Sequence, residues 1–179
     1  MPEPLLPCTD DCMGANISGE DATQQVLDGV RRIVQALRES SRLAERRVGL
    51  TSAQLFVLQK LAESPAISVN ELAAATHTHQ SSVSVVVRRL AQQGLVRRTR
   101  SAVDGRSVTL TLSSRGERAA AQVPDLAQAR LVDAVGRLTA ARRRQLASTL
   151  GEVARTLAGH DGAPAMFFED VRARRSSRA

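Results

Sequence analysis

The spacing of apolar residues changes period at Gly94, and that change restricts the folds open to the chain more than any other feature. Upstream, Val26, Val30, Ile33 and Leu37 fall at i, i+4, i+7 and i+11, which predicts one long helix from about Asp21 to Arg47. Downstream, Val108, Leu110 and Leu112 alternate with Ser107, Thr109 and Thr111. The segments "LVRRTRS" and "SVTLTLS" therefore read as two strands with one dry face, joined by "AVDGR". Asp104-Gly105 supplies the positive-φ chemistry a hairpin tip needs. Gly94 itself stands where a helix prefers its closing glycine. From Ser113 the helical period resumes, so the expected fold is mainly α with a small β-hairpin.

Helix starts divide the middle of the chain. Thr51 with Gln54 has the form of a capping box, and Leu55, Leu58 and Leu61 carry that helix to about Glu63, where Ser64-Pro65 stops it. A second box, Ser68 with Glu71, opens the short helix "VNELAAAT". A third helix is expected from Gln80 to Gln93. Short helix, tight turn, helix and two-stranded ribbon is the order of a winged helix-turn-helix, whose second helix lies in the DNA major groove.

Beyond the ribbon, one helical segment holds Val123, Leu126 and Leu131 to Leu138, with Pro124 expected to kink or restart it. Another holds Leu146, Leu150, Val153 and Leu157, repeating the spacing of the first helix. Such stripes at the edges of a small domain need partners, and a homodimer supplies them economically. The expected organisation is an N-terminal tail over 1–19, a domain over 20–158 and a C-terminal tail over 159–179. Within the domain, dimerisation helices at 20–47 and 114–158 flank a winged-helix lobe at 50–113. The segment "MFFEDV" holds two of the three phenylalanines and is expected to dock on the body.

Charge points to the partner. The formal net charge is +7, and Lys60 is the only lysine, so the positive side is almost wholly arginine, which forks onto phosphates and guanine edges. Six arginines (Arg88, Arg89, Arg97, Arg98, Arg100 and Arg106) and one acid (Asp104) lie between positions 88 and 106. With no Trp or Tyr, a sheet that stacks single-stranded bases is disfavoured. No apolar run is long enough to span a membrane and the start lacks the form of a signal peptide, so a cytoplasmic protein with no membrane partner is expected.

The expected reading helix has two unlike faces. Val83, Val87 and Leu90, with Val86 beside them, form an inward stripe; Ser81, Ser84, Val85 and Arg88 share the other side. Small hydroxyls near a helix N-terminus let the backbone approach DNA, and Arg88 has the reach for a guanine or a phosphate.

On "LTSAQLFVLQKLAESPAISVNELAAAT", "QSSVSVVVRRLAQQGLVRR", "DGR" and "VTLTLSSRGE", at matching spacing, the segment from about Leu50 to Glu117 resembles the MarR family (multiple antibiotic resistance regulators). The resemblance implies a homodimeric transcriptional regulator, most simply a repressor, that sets two winged helices on double-stranded DNA at an inverted-repeat operator. Carried over by position, Ser81, Ser82, Ser84 and Arg88 would contact the groove, with Gln80, Arg89 and Arg98 beside them. Asp104 would orient Arg106 in the minor groove. Where the family often has Arg or another polar residue, this chain has Val85, which either touches a thymine methyl or leaves that contact unmade. The resemblance also implies release by a small anionic aromatic or phenolic effector, for which Arg38, Arg42 and Arg46 would supply a cation and Phe56 an apolar wall; solvated arginines and a core phenylalanine are the plainer alternative.

Other readings carry less. His77 and His79 lack a third ligand nearby in sequence, so a metal site is not expected; a turn histidine of this kind caps the helix or meets a phosphate. Cys8 and Cys12 would serve a redox-sensing regulator or be tail thiols without a role. No catalytic constellation and no cofactor motif is evident, so an enzyme is not expected. A basic architectural protein that coats DNA without sequence choice is the rival from a different class.

Overall fold

The structure, a computed structural model, describes residues 19–100, 108–122, 125–158 and 163–167. Its elements in order are α1 (Gly19–Val48), α2 (Ser52–Glu63), β1 (Ile67–Ser68), α3 (Val69–Ala75), α4 (Gln80–Gln92), β2 (Val96–Arg100), β3 (Val108–Leu112), α5 (Ser114–Ala121), α6 (Ala127–Gly136) and α7 (Ala140–Ala158). This is a mainly helical chain with a small antiparallel sheet, as the change of period at Gly94 predicts. Two compact units divide it, residues 1–35 and 36–179. In the first, the described part of α1 leaves Val26, Leu27, Val30 and Ile33 exposed, and Asp28 pairs with Arg31 at 2.6 Å.

In the second unit α2 is the centre. Leu55, Phe56, Val57 and Leu58 are all fully buried, because α4, α5 and the sheet surround this helix. Both boxes form as the sequence predicts. The Thr51 hydroxyl accepts from the Gln54 amide while the Gln54 side chain accepts from the Thr51 amide, and Ser68 and Glu71 repeat the exchange. Each box satisfies amides that the first helical turn otherwise leaves unpaired.

Gly94, at φ +69°, closes α4. Its amide donates to the Ala91 carbonyl and that of Leu95 to the Leu90 carbonyl, the paired bonds of a Schellman motif. Leu90 and Leu95, both buried, pack at that turn. The chain then enters the sheet.

The sheet holds one strand more than the sequence pattern suggested. Its order is β1-β3-β2, with Ile67 opposite Leu110 and Ser68 opposite Thr109, so β3 is central rather than half of a free hairpin. Two residues are too few to show alternation, which is why β1 left no periodic signal. Leu110 is the one fully buried residue of β3, while Val108 and Leu112 are half-buried, so the dry face is narrower than the alternation implied. The tip, with Asp104, Gly105 and Arg106, lies outside the described residues, as do Cys8, Cys12 and His160.

Where a kinked helix was one expectation after the ribbon, two separate helices stand: α5 ends at Ala121 and α6 begins at Ala127, where the Ala127 amide donates to the Ser40 hydroxyl. Pro124 lies outside the described residues. Helix α7 has no buried residue at all: Leu150 is 50% exposed, Val153 58% and Leu157 88%. No described helix is long and apolar enough to cross a membrane.

Candidate nucleic-acid interface

The turn between α3 and α4 fixes how α4 is presented. Helix α3 ends with the His77 amide donating to the Ala74 carbonyl and that of Thr78 to the Ala73 carbonyl, the same paired bonds that close α4. Here His77, at φ +49°, occupies the left-handed position that glycine usually takes. Buried Thr76 locks the end by donating its hydroxyl to the Leu72 carbonyl at 2.8 Å. His79 stands at the N-cap of α4 yet makes no side-chain cap bond, so of the two roles expected for a turn histidine, capping is not realised at His79. Among the described residues no three of His, Cys, Asp and Glu gather to hold a metal ion.

Helix α4 then divides into faces. Val83, Val86, Val87 and Leu90 are buried against the core. Gln80, Ser81 and Arg88 are exposed, and Ser84, Val85 and Arg89 are half-buried beside them. Ser84 donates its hydroxyl to the Gln80 carbonyl at 2.8 Å, so its proton is already engaged.

Ser82 departs from the expectation of an outward groove residue. It is 3% exposed, and its hydroxyl donates to the Pro164 carbonyl at 2.8 Å. The periodicity explains this: Ser82 lies one residue before Val83 and four before Val86, on the margin of the apolar stripe. What sequence spacing could not reveal is the segment that covers it.

Strand alternation separates the arginines of β2. Arg97 opposes Thr111 and Thr99 opposes Thr109 on one face, while Arg98 opposes Leu110 on the other. Arg97 and Arg98 are both exposed. No ion pair among the described residues neutralises Arg88, Arg97 or Arg98.

Behind α4, Ser113 joins the end of the sheet to α5. Its hydroxyl donates to the Gly94 carbonyl at 2.8 Å and accepts from the Gly116 amide at 3.1 Å, and its own amide donates to the Leu95 carbonyl at 3.0 Å. One residue thus ties the end of α4, the sheet and the start of α5.

The effector residues expected from the sequence do not come together. Phe56 is fully buried in the core, with the Lys60 ammonium 5.8 Å from its ring centre, so it walls no cavity. It lies one turn before Lys60 on a helix that is core along most of its length. Arg38, Arg42 and Arg46 are exposed on α1 and line none of the described cavities, and Arg46 donates to the Arg42 carbonyl. A depression of about 290 Å³ instead lies between Leu131, Val132 and Val135 of α6, His77 and Arg143. The Arg143 guanidinium there donates to the Gly136 and Leu138 carbonyls at 2.6 and 3.0 Å.

Comparisons with known proteins agree with this architecture. The family profile described as the MarR family matches residues 50–108. The HTH-type transcriptional repressor Rv2887 of Mycobacterium tuberculosis is 32% identical over 114 residues, covering 64% of this chain and 82% of that protein. The HTH-type transcriptional repressor MdtR of Bacillus subtilis is 27% identical over 100 residues, covering 56% of this chain and 64% of its own. Among solved structures, a MarR mutant from E. coli complexed with operator DNA superposes with a TM-score of 0.50 at 23% identity, covering 74% of this chain and 98% of that one, a likeness of fold.

Proposed function

The chain belongs to the MarR family of winged helix-turn-helix regulators, and from that premise we propose that it is a homodimeric transcriptional repressor that occupies an inverted-repeat operator through α4 and the wing. The observation that carries this reading is the division of α4, buried on its valine face and open at Gln80, Ser81 and Arg88. Those three side chains are the proposed groove contacts. Val85, Arg89 and Arg98 are proposed beside them, and Asp104 and Arg106 at the wing tip. Ser84 contributes through its oxygen, since its proton is held by Gln80. Ser82 contributes only if the Pro164 contact opens.

The dimer reading is supported by α7, whose apolar residues are all exposed in the single chain, and by the exposed stripe on the first part of α1. Isolated exposed leucines are ordinary, but Leu146, Leu150, Val153 and Leu157 lie on one helical stripe and form a patch that a second copy would cover. The division 20–47, 50–113 and 114–158 into dimerisation helices and DNA lobe belongs to the same proposal.

Release by a small anionic aromatic or phenolic effector completes it. Support comes from the depression beside Arg143, which offers apolar walls and one guanidinium, and replaces the set Arg38, Arg42, Arg46 and Phe56. A ligand there needs only to favour a lobe position that no longer fits the grooves.

Titration of the full chain on promoter DNA against random duplex tests the reading. A specific regulator prefers its site by roughly 10³-fold or more. Equal affinity would leave the architectural alternative standing and remove the repressor.

A further inference from the structure

The residues following α7 do not behave as a plain tail. Met166 is 4% exposed and joins the core cluster, and the Pro164 carbonyl accepts from Ser82 in the first turn of α4. Between this segment, the α3–α4 turn and α6 lies a cavity of about 250 Å³. Its walls are chiefly Leu131 and Val132 of α6 and Pro164, Met166 and Phe167 of the C-terminal segment.

One polar group in that wall is unsatisfied. Gln128, 4% exposed, has a side-chain carbonyl oxygen that is buried without a hydrogen-bond partner among the described residues. Buried oxygens of this kind are uncommon and costly, because desolvation is not repaid. An oxygen of an amide accepts, so what it lacks is a donor. No Asp, Glu, Lys or Arg lines the cavity among the described residues, so nothing there offsets the desolvation of an ion. The volume falls below the roughly 300–1,000 Å³ of drug-sized sites, which limits the occupant to about one ring system.

We propose that this cavity binds a small, neutral, mainly apolar molecule that donates a hydrogen bond to Gln128 Oε1, with residues 163–167 as its roof and the Ser82–Pro164 bond as its link to α4. A phenol or an indole has the required chemistry: a flat apolar body and one donor. The site shares His77, Leu131 and Val132 with the Arg143 depression but differs from it in lacking the guanidinium. An occupant that moves the roof also moves the partner of Ser82, and so bears on the first turn of the helix proposed to enter the groove.

The experiment uses the full chain, with phenol and toluene as probes, two molecules of similar shape of which only phenol donates. Calorimetry of wild type is expected to give phenol an affinity about three- to tenfold above that of toluene, the worth of one net hydrogen bond. Gln128→Met, close in shape, is expected to erase that preference, and Phe167→Ala to weaken both probes by opening the roof. Equal affinities in wild type, a preference that survives Gln128→Met, or undiminished binding in Phe167→Ala would each overturn the site. Should Gln128→Met fail to fold, the wild-type preference and Phe167→Ala still decide.

Operator titrations of the same proteins read the link. Saturating phenol is expected to shift wild-type operator affinity by about threefold or more and to leave Phe167→Ala unmoved; no shift in wild type overturns the link. Failure of wild type to select any operator would refute the regulator reading instead, while the calorimetry would still decide the cavity.

Discussion

Replacing Gly116 by alanine should destabilise the protein, against the usual effect of that exchange in a helix. Gly116 lies in the first turn of α5, and alanine in a helix is ordinarily favoured over glycine by about 1 kcal/mol. Here an added Cβ would fall on the Leu95 carbonyl oxygen, well inside contact distance, with Leu112 Cδ2 at 3.4 Å on another side. The obstacle is backbone, and it is pinned, since the Leu95 carbonyl already accepts from the Ser113 amide at 3.0 Å and its hydroxyl at 3.2 Å. Relief requires α5 to move off the sheet, an overpacking cost of about 1–3 kcal/mol, at the upper end because no flexible side chain can yield. Subtracting the propensity gain leaves a net loss of about 1–2 kcal/mol, or roughly 2–8 °C in Tm for a chain of this size. Gly29 is the control: nothing lies within 4 Å of its Cβ position, so Gly29→Ala should hold or raise Tm. Thermal melts by circular dichroism measure both. A Gly116→Ala protein at least as stable as wild type would refute the idea that backbone approach, rather than helix propensity, holds glycine there.

Three further outcomes follow from the geometry. Arg88→Ala should weaken operator binding by roughly 5- to 150-fold, the range for loss of one base or phosphate contact, with unchanged melting; anisotropy titration at fixed salt checks it, and wild-type affinity removes Arg88 from the interface. Leu150→Glu, at a site 50% exposed in the single chain, should raise the dimer dissociation constant by roughly 100-fold or more while leaving helicity intact; a sedimentation profile identical to wild type would place the dimer contact elsewhere. Glu71 should titrate below its ordinary 4.5, first because the Ser68 amide donates to its carboxylate and then through the Ser68 hydroxyl. A depressed folded pKa means the box contributes stability above about pH 4.5 and loses it as pH falls through the lower folded value. NMR titration of the carboxyl reads this directly, and a Glu71 signal at or above 4.5 would contradict it.

Much of this was legible in the chain itself because it depends on neighbours in sequence. Both capping boxes, the glycine that closes α4, the valine stripe of α4 and the paired strands after Gly94 are local choices, each made within about four residues. Helix order, fold class and the exposure of Ser81 and Arg88 follow from them. Tertiary structure decided what depends on residues distant in the chain. Ile67 becomes a strand only because β3 is there to pair with it. Ser82 looks like a groove residue until Pro164, 82 positions away, takes its proton. Phe56 looks like a pocket wall until α2 is enclosed on every side. Gln128 carried no signal in the sequence, since an amide on a helix is commonplace until packing buries its oxygen without a donor. Periodicity reports which face of an element is apolar, whereas the identity of what covers that face is settled only when distant segments close over it.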